Sequence, residues 1–166
     1  MANRTQPIIR FIFLTRNGLD RAISNKKHEG HIRSPDLPAH CAKNDTDCLS
    51  KHARLGSGVE LPTEDLVHHL REAQRKDDYV EATLKSVGAN YVRVSFERLY
   101  DQEDIDEWKK ILRFLGRGPM NNLTISQVRD TFSIQRTSSR SHKDILSNYL
   151  EVKEVLKGTE LESLLT

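Results

Sequence analysis

The chain has 166 residues, of which 36% are hydrophobic and 30% charged, enough for one domain with a sizeable core and an ordinary soluble composition. A net charge of +2 gives no case for general nucleic-acid binding, and no apolar run approaches the roughly 20 residues that span a bilayer. The N-terminal apolar run is broken by Arg10 and no small-residue cleavage site follows it, so it is neither a signal peptide nor an anchor.

From Ile8 to Ser24 the chain reads IIRFIFLTRNGLDRAIS, an apolar run that stops at Arg16 and gives way to a helical pattern. The expectation is a buried strand, a sharp turn at Asn17-Gly18, and a helix. An Arg at the end of a strand and a Ser one to two turns inside a helix can converge on one anion. Arg16 supplies a planar fork for two parallel bonds and Ser24 a hydroxyl; Lys would be a poorer substitute. The bland alternative pairs Arg16 with Asp20 or Asp101 and leaves Ser24 an ordinary helix residue. Residues 1 to 33 carry seven Arg and Lys against two carboxylates, so positive charge gathers near this segment.

Between about Gly30 and Gly58 the chain is polar and rich in Pro, Gly, Ser and His, with Cys41 and Cys48 bracketing AKNDTD. It is expected to be a loop insertion over residues 30–60. A disulfide closing this short loop would suit a secretory compartment, and the sequons at Asn3, Asn44 and Asn122 point the same way. Two free thiols are the alternative, because one pair does not define a disulfide framework. His28, His31, His40 and His52 lie near the two cysteines, but a separation of seven does not match the close ligand pairs of structural zinc sites. No metal is expected.

From Leu61 the pattern is helical, with Pro62 and Thr63 as a cap and Leu66, Val67, Leu70 and Ala73 at helical spacing. A separate helix is expected from about Asp78 to Val87, ending at Gly88. Tyr91 to Ser95 then reads as a strand, and strand, helix and strand in this order suit a parallel α/β sheet. Gln102 to Leu115 is the clearest later helix, with Trp108 in the core and Gly116 as its stop. A short helix around Ser126 to Phe132, the polar loop QRTSSRS and a terminal helix broken at Gly158 complete the chain.

Arg16 and Ser24, eight positions apart after an apolar strand, resemble the 3'-phosphate-binding segment of sulfotransferases that use 3'-phosphoadenosine 5'-phosphosulfate (PAPS). Three later segments agree in order. YVRVSFERLYDQEDIDEWKKILRFLG resembles that family's strand, its Tyr-Glu-x-Leu turn and the helix ending in Phe-Leu-Gly. QRTSSRS lies where the family has a late basic loop over the nucleotide, and ILSNYLEVKEVLKGTELESLL resembles the C-terminal helix of its bacterial, algal and carbohydrate-acting members.

The resemblance implies one partial sulfotransferase-like domain over residues 1–166. Its fold would be α/β, a P-loop-NTPase-like parallel sheet flanked by helices, lacking the N-terminal strand, Lys-bearing 5'-phosphosulfate loop and helix. It implies PAPS, or its product 3',5'-adenosine bisphosphate (PAP), as the ligand. Arg16, Ser24, Phe96, Arg136, Ser138, Ser139 and Arg140 would be the binding residues, Phe96 standing where the family commonly has a Tyr beside the adenine. Asp20 would orient Arg16 or cap the helix, and Glu97 would cap or brace the segment after it.

The acceptor implied is a hydroxyl or amine of a carbohydrate or small molecule. The family's base lies upstream of the Arg16 strand, so no catalytic residue is assigned, although His28 and Glu29 are the nearest titratable side chains. An upstream anchored portion would place the protein in the Golgi or secretory lumen; a true start at Met1 would leave it in the cytoplasm. A non-catalytic binding or assembly module on this fold is the competing function. Oligomeric state is not legible in the sequence.

Overall fold

The computed structural model describes residues 9–32, 41–42, 44–55, 58–118, 122–131, 134–135 and 141–165. The elements are β1 (Arg10–Thr15), α1 (Gly18–Ile32), β2 (Cys41–Ala42), α2 (Thr46–Leu55), α3 (Leu66–Ser86), β3 (Asn90–Ser95), α4 (Phe96–Tyr100), α5 (Ile105–Phe114), α6 (Ile125–Thr131), β4 (Ile134–Gln135), α7 (His142–Ile145), α8 (Tyr149–Leu156) and a C-terminal 3-10 turn (Glu162–Leu165). The fold is α/β, largely helical, with a small parallel sheet. It divides into two compact units, one drawn from Met1–Thr15 with Arg75–Ile125 and the other from Arg16–Gln74 with Ser126–Thr166.

In the first unit β1 and β3 run parallel, with Arg10 opposite Asn90 and Thr15 opposite Ser95. The Thr15 hydroxyl donates to the Val94 carbonyl at 3.1 Å. Val92, Val94, Leu99 and Ile111 form the core, with Trp108 and Phe114 packed against it. Trp108 lies in the apolar layer as its spacing predicts, and its indole N–H donates to the Leu99 carbonyl at 3.2 Å.

Glycines end two helices of this unit in the same way. Gly88 and Gly116 take left-handed φ of 62° and 77°. In each case the next residue's amide reaches back to the carbonyl five positions earlier, Ala89 to Leu84 and Arg117 to Leu112. Those carbonyls would otherwise be left unsatisfied at the helix end.

Two expectations for this unit need correction. β1 is not a buried strand: Phe11, Ile12 and Leu14 are 43%, 45% and 47% exposed. Its apolar run suits a strand covered on both faces, but among the described residues it pairs with one strand, and α4 and α5 pack on β3. The two helices expected near 61–73 and 78–87 are also one continuous helix, α3. The intervening Gln74-Arg75-Lys76-Asp77 contains no Gly or Pro, and its charges need only a solvated face.

The second unit has the larger core. Leu19 and Ile23 of α1, Leu66 and Leu70 of α3, Ile145 and Leu146, Val152 and Leu156 of α8, and Leu161 are buried together with Val59 and Leu61. Val59 bridges Leu146 in parallel: its amide donates to the Ile145 carbonyl at 2.9 Å, and its carbonyl accepts from the Ser147 amide at 3.0 Å. The Asn148 side chain does comparable work on Leu61, accepting from its amide at 3.2 Å and donating to its carbonyl at 2.8 Å.

The polar insertion is not plain loop. It contains β2 and α2, and Cys41 and Cys48 are joined as a disulfide, with their Cα atoms 5.6 Å apart and both residues buried. β2 pairs antiparallel with β4, placing Cys41 opposite Gln135. Sulfurs bonded to each other are not thiolate ligands, so this pair offers nothing to zinc.

Candidate anion-binding segment at the start of α1

Arg16 follows β1 directly in the chain and belongs to the same compact unit as α1 and Ser24. It is half-buried, with its Nε shielded from solvent, and its carbonyl accepts from Arg21 Nη2 at 3.5 Å. Asn17 is the N-cap of α1. Its Oδ1 accepts from the amides of Leu19 at 2.9 Å and Asp20 at 3.4 Å, and its carbonyl takes the first helical bond from the Arg21 amide at 3.0 Å. Gly18 is therefore the first residue of the helix rather than the second half of a free turn.

Ser24 lies six residues beyond Gly18, about 9 Å along the axis at 1.5 Å per residue. It is seven residues past Asn17, nearly two full turns, so it shares the side of the helix that Asn17 caps. Leu19 and Ile23 are buried, which fixes the helix on its core. Of the first-turn amides that a helix ordinarily offers an anion, those of Leu19, Asp20 and Arg21 are engaged by Asn17. Anion recognition here would fall to the side chains of Arg16 and Ser24.

Asp20 does not cap the helix, and it has a distant partner. The cap belongs to Asn17, and Asp20 Oδ1 lies 3.0 Å from Nε2 of His142 on α7. His142 is 9% exposed and its Nδ1 lies 3.4 Å from the Leu165 carbonyl. The bond to Asp20 raises its pKa above the usual value, against a lowering effect of burial. Sequence reading had no signal for this pair, since its members are 122 residues apart.

The remaining predicted residues divide three ways. Phe96, in the other compact unit, opens α4 and is half-buried, its ring 4.7 Å from that of Tyr100 and tilted by 42°. The Ser95 hydroxyl caps α4 by accepting from the Arg98 amide at 3.3 Å and donates to the Glu97 carboxylate at 2.8 Å, so Glu97 braces this segment. Arg136, Ser138, Ser139 and Arg140 lie outside the described residues, immediately after β4. His28 and Glu29 are exposed on the second half of α1, and Glu29 pairs with Lys26 at 3.0 Å.

A second polar cluster, in the unit containing β3, was not anticipated. Glu107 on α5 is 3% exposed, accepts from the Ser95 amide at 3.0 Å, and lies 3.4 Å from both Arg98 and Lys110. It ties the end of β3 to α5. Comparison with known proteins returns no match to a family model, a curated protein or a solved structure.

Proposed function

We propose that this chain binds the 3'-phosphoadenosine part of PAPS or PAP, with Arg16 and Ser24 holding the 3'-phosphate. The observation that supports it is the arrangement at one junction: a strand of a parallel pair, then Arg16, then a capped helix that presents Ser24 nearly two turns on. A 3'-phosphate carries close to two negative charges near neutral pH and calls for charge-assisted donors held in place. On this reading the sheet is of the P-loop-NTPase-like sulfotransferase type. The resemblance would add Phe96 for the adenine and Arg136, Ser138, Ser139 and Arg140 for the nucleotide phosphate. The reaction class is transfer of a sulfuryl group to a hydroxyl or amine of a carbohydrate or small molecule, with the 5'-phosphosulfate loop and base supplied by a segment that in the family precedes the Arg16 strand.

Thermal unfolding with PAP against 5'-AMP tests the ligand, because the two differ in the 3'-phosphate. A ligand at 100 times its Kd stabilises the folded state by about 2.7 kcal/mol. PAP should raise the Tm well above the 5'-AMP value, and Arg16→Ala should remove the difference. Equal shifts from both nucleotides would overturn the reading.

The exposed apolar side chains of β1, Phe11 on one side of the strand and Ile12 and Leu14 on the other, favour a second reading, a non-catalytic assembly module. Normal folding with no nucleotide effect and a stable complex with a protein partner would select it.

A further inference from the structure

The C-terminal turn is fastened to the start of α1 by side chains that the nucleotide reading leaves unused. Asn17 Nδ2 donates to the Leu164 carbonyl at 3.0 Å. The buried His142 ring stands between two elements, with Nε2 against Asp20 Oδ1 of α1 and Nδ1 near the Leu165 carbonyl of the turn. Leu161 is buried beneath, and Leu164 and Leu165 pack against the same core.

We propose that His142 is a proton-operated latch: its imidazolium holds the C-terminal turn on the first turn of α1 and offsets the Asp20 charge beside Arg16, strengthening anion binding there. The ligand half of this statement rests on the 3'-phosphate reading. When doubly protonated, the ring donates from both nitrogens, one to a carboxylate and one to a carbonyl; a neutral ring donates from only one. Its positive charge also answers the carboxylate of Asp20, four residues after Arg16, which would otherwise repel a phosphate dianion.

The charged groups of the elements that meet here are few. α1 brings Asp20 and, next to it, Arg21, with Arg16 two residues ahead of the helix. The C-terminal turn brings Glu162, whose carboxylate accepts from the Gly158 amide. On α7 itself Lys143 is exposed and Asp144 accepts from the Ser141 hydroxyl. Asp20 is the charge that raises the pKa of His142. A raised histidine pKa means the stabilisation is fully present below the unfolded value near 6.5 and is lost as pH rises through the folded value.

The test uses the full chain and two variants, His142→Gln, which keeps a donor toward Asp20 but does not titrate, and Asp20→Asn, which removes the charge. Hydrogen-exchange protection of the C-terminal turn, corrected for intrinsic rates, is followed from pH 5.5 to 8.5 together with the Tm rise produced by PAP. The wild type should lose protection and part of the PAP response as pH rises; His142→Gln should lack that component, and Asp20→Asn should move it to lower pH. The phosphate's own titration is common to all three chains and cancels in the comparison. Identical pH profiles in wild type and variants would overturn the latch. A pH-dependent turn that His142→Gln lacks, with no PAP response at any pH, would uphold the latch and reject the 3'-phosphate reading.

Discussion

Replacing Gly18 with Ala should stabilise the protein, although Asn-Gly in a sequence usually marks a turn that needs glycine. Gly18 opens α1 without a left-handed φ. A Cβ built there would sit 3.4 Å from Leu70 Cδ2 and 3.7 Å from Leu164 Cδ1, ordinary van der Waals separations. Alanine restricts the unfolded chain, worth about 0.4–1 kcal/mol where the native backbone accepts it. A buried methyl adds up to about 0.8 kcal/mol more. The expected gain is about 1 kcal/mol, or a Tm rise of about 2–4 °C for a chain of this size. Urea unfolding followed by circular dichroism, with the slope unchanged and the midpoint raised, would register it. A fall in Tm would refute the reasoning, since it would mean either that Gly18 needs a backbone closed to alanine or that Leu70 and Leu164 leave no room.

Glu107→Ala should cost about 1–3 kcal/mol in denaturant unfolding, because it removes the acceptor of the Ser95 amide and leaves Arg98 and Lys110 without this carboxylate; Glu107→Gln should cost less. Arg71 forks onto Glu160 at 2.7 and 3.1 Å and holds that carboxyl at about 2, chiefly through the hydrogen bond. In Arg71→Ala a carboxylate NMR titration should find Glu160 back near the ordinary glutamate range. Its depressed pKa places any stabilisation above pH 4.5, lost as pH falls toward 2, so the same variant should unfold near neutral pH much as the wild type does, as expected for an exposed ion pair.

Much of the architecture was legible because it is written locally. The apolar run before Arg16, the helical spacing of Ile105, Trp108 and Ile111, and the glycines at 88 and 116 each act within a few residues, and the strands, helices and helix ends lie close to where those signals put them. The exposure of β1 was not legible, because an apolar run reports the neighbours a strand would suit, not those it has. α2 escaped notice inside a polar stretch whose Cys, Pro and Ser content reads as loop, and the covalent tie from Cys41 to Cys48 now spans its first turn. At the site, the spacing of Arg16 and Ser24 could be read from the chain. Asn17 as cap and His142 as the partner of Asp20 could not, since the first was masked by the Asn-Gly turn signal and the second is a contact between distant segments.

Exposed apolar side chains are unevenly placed. Ile9, Phe11, Ile12, Leu14, Tyr79, Val80, Val87, Tyr100 and Leu115 belong to the unit containing β3, and Leu150 alone among the large exposed hydrophobics described belongs to the unit containing α1. Each such side chain forgoes a share, set by its exposed fraction, of the about 1.5–3 kcal/mol that full burial supplies. The sheet unit thus carries a sequence written for more cover than its described elements give it. The helix that bears Ser24 is in the opposite position: Leu19 and Ile23 are 0% and 4% exposed in a closed cluster that includes Val152 and Leu156, both at 0%. Its anchoring comes from hydrocarbon on one face, from Asn17 at its start and from the contact of Asp20 with His142. Far-ultraviolet circular dichroism and the ligand-free Tm of Arg16→Ala, measured beside its PAP response, separate the two causes: an unchanged helix with the response lost reports the missing contact to the phosphate, and a lowered ligand-free Tm reports a loosened α1.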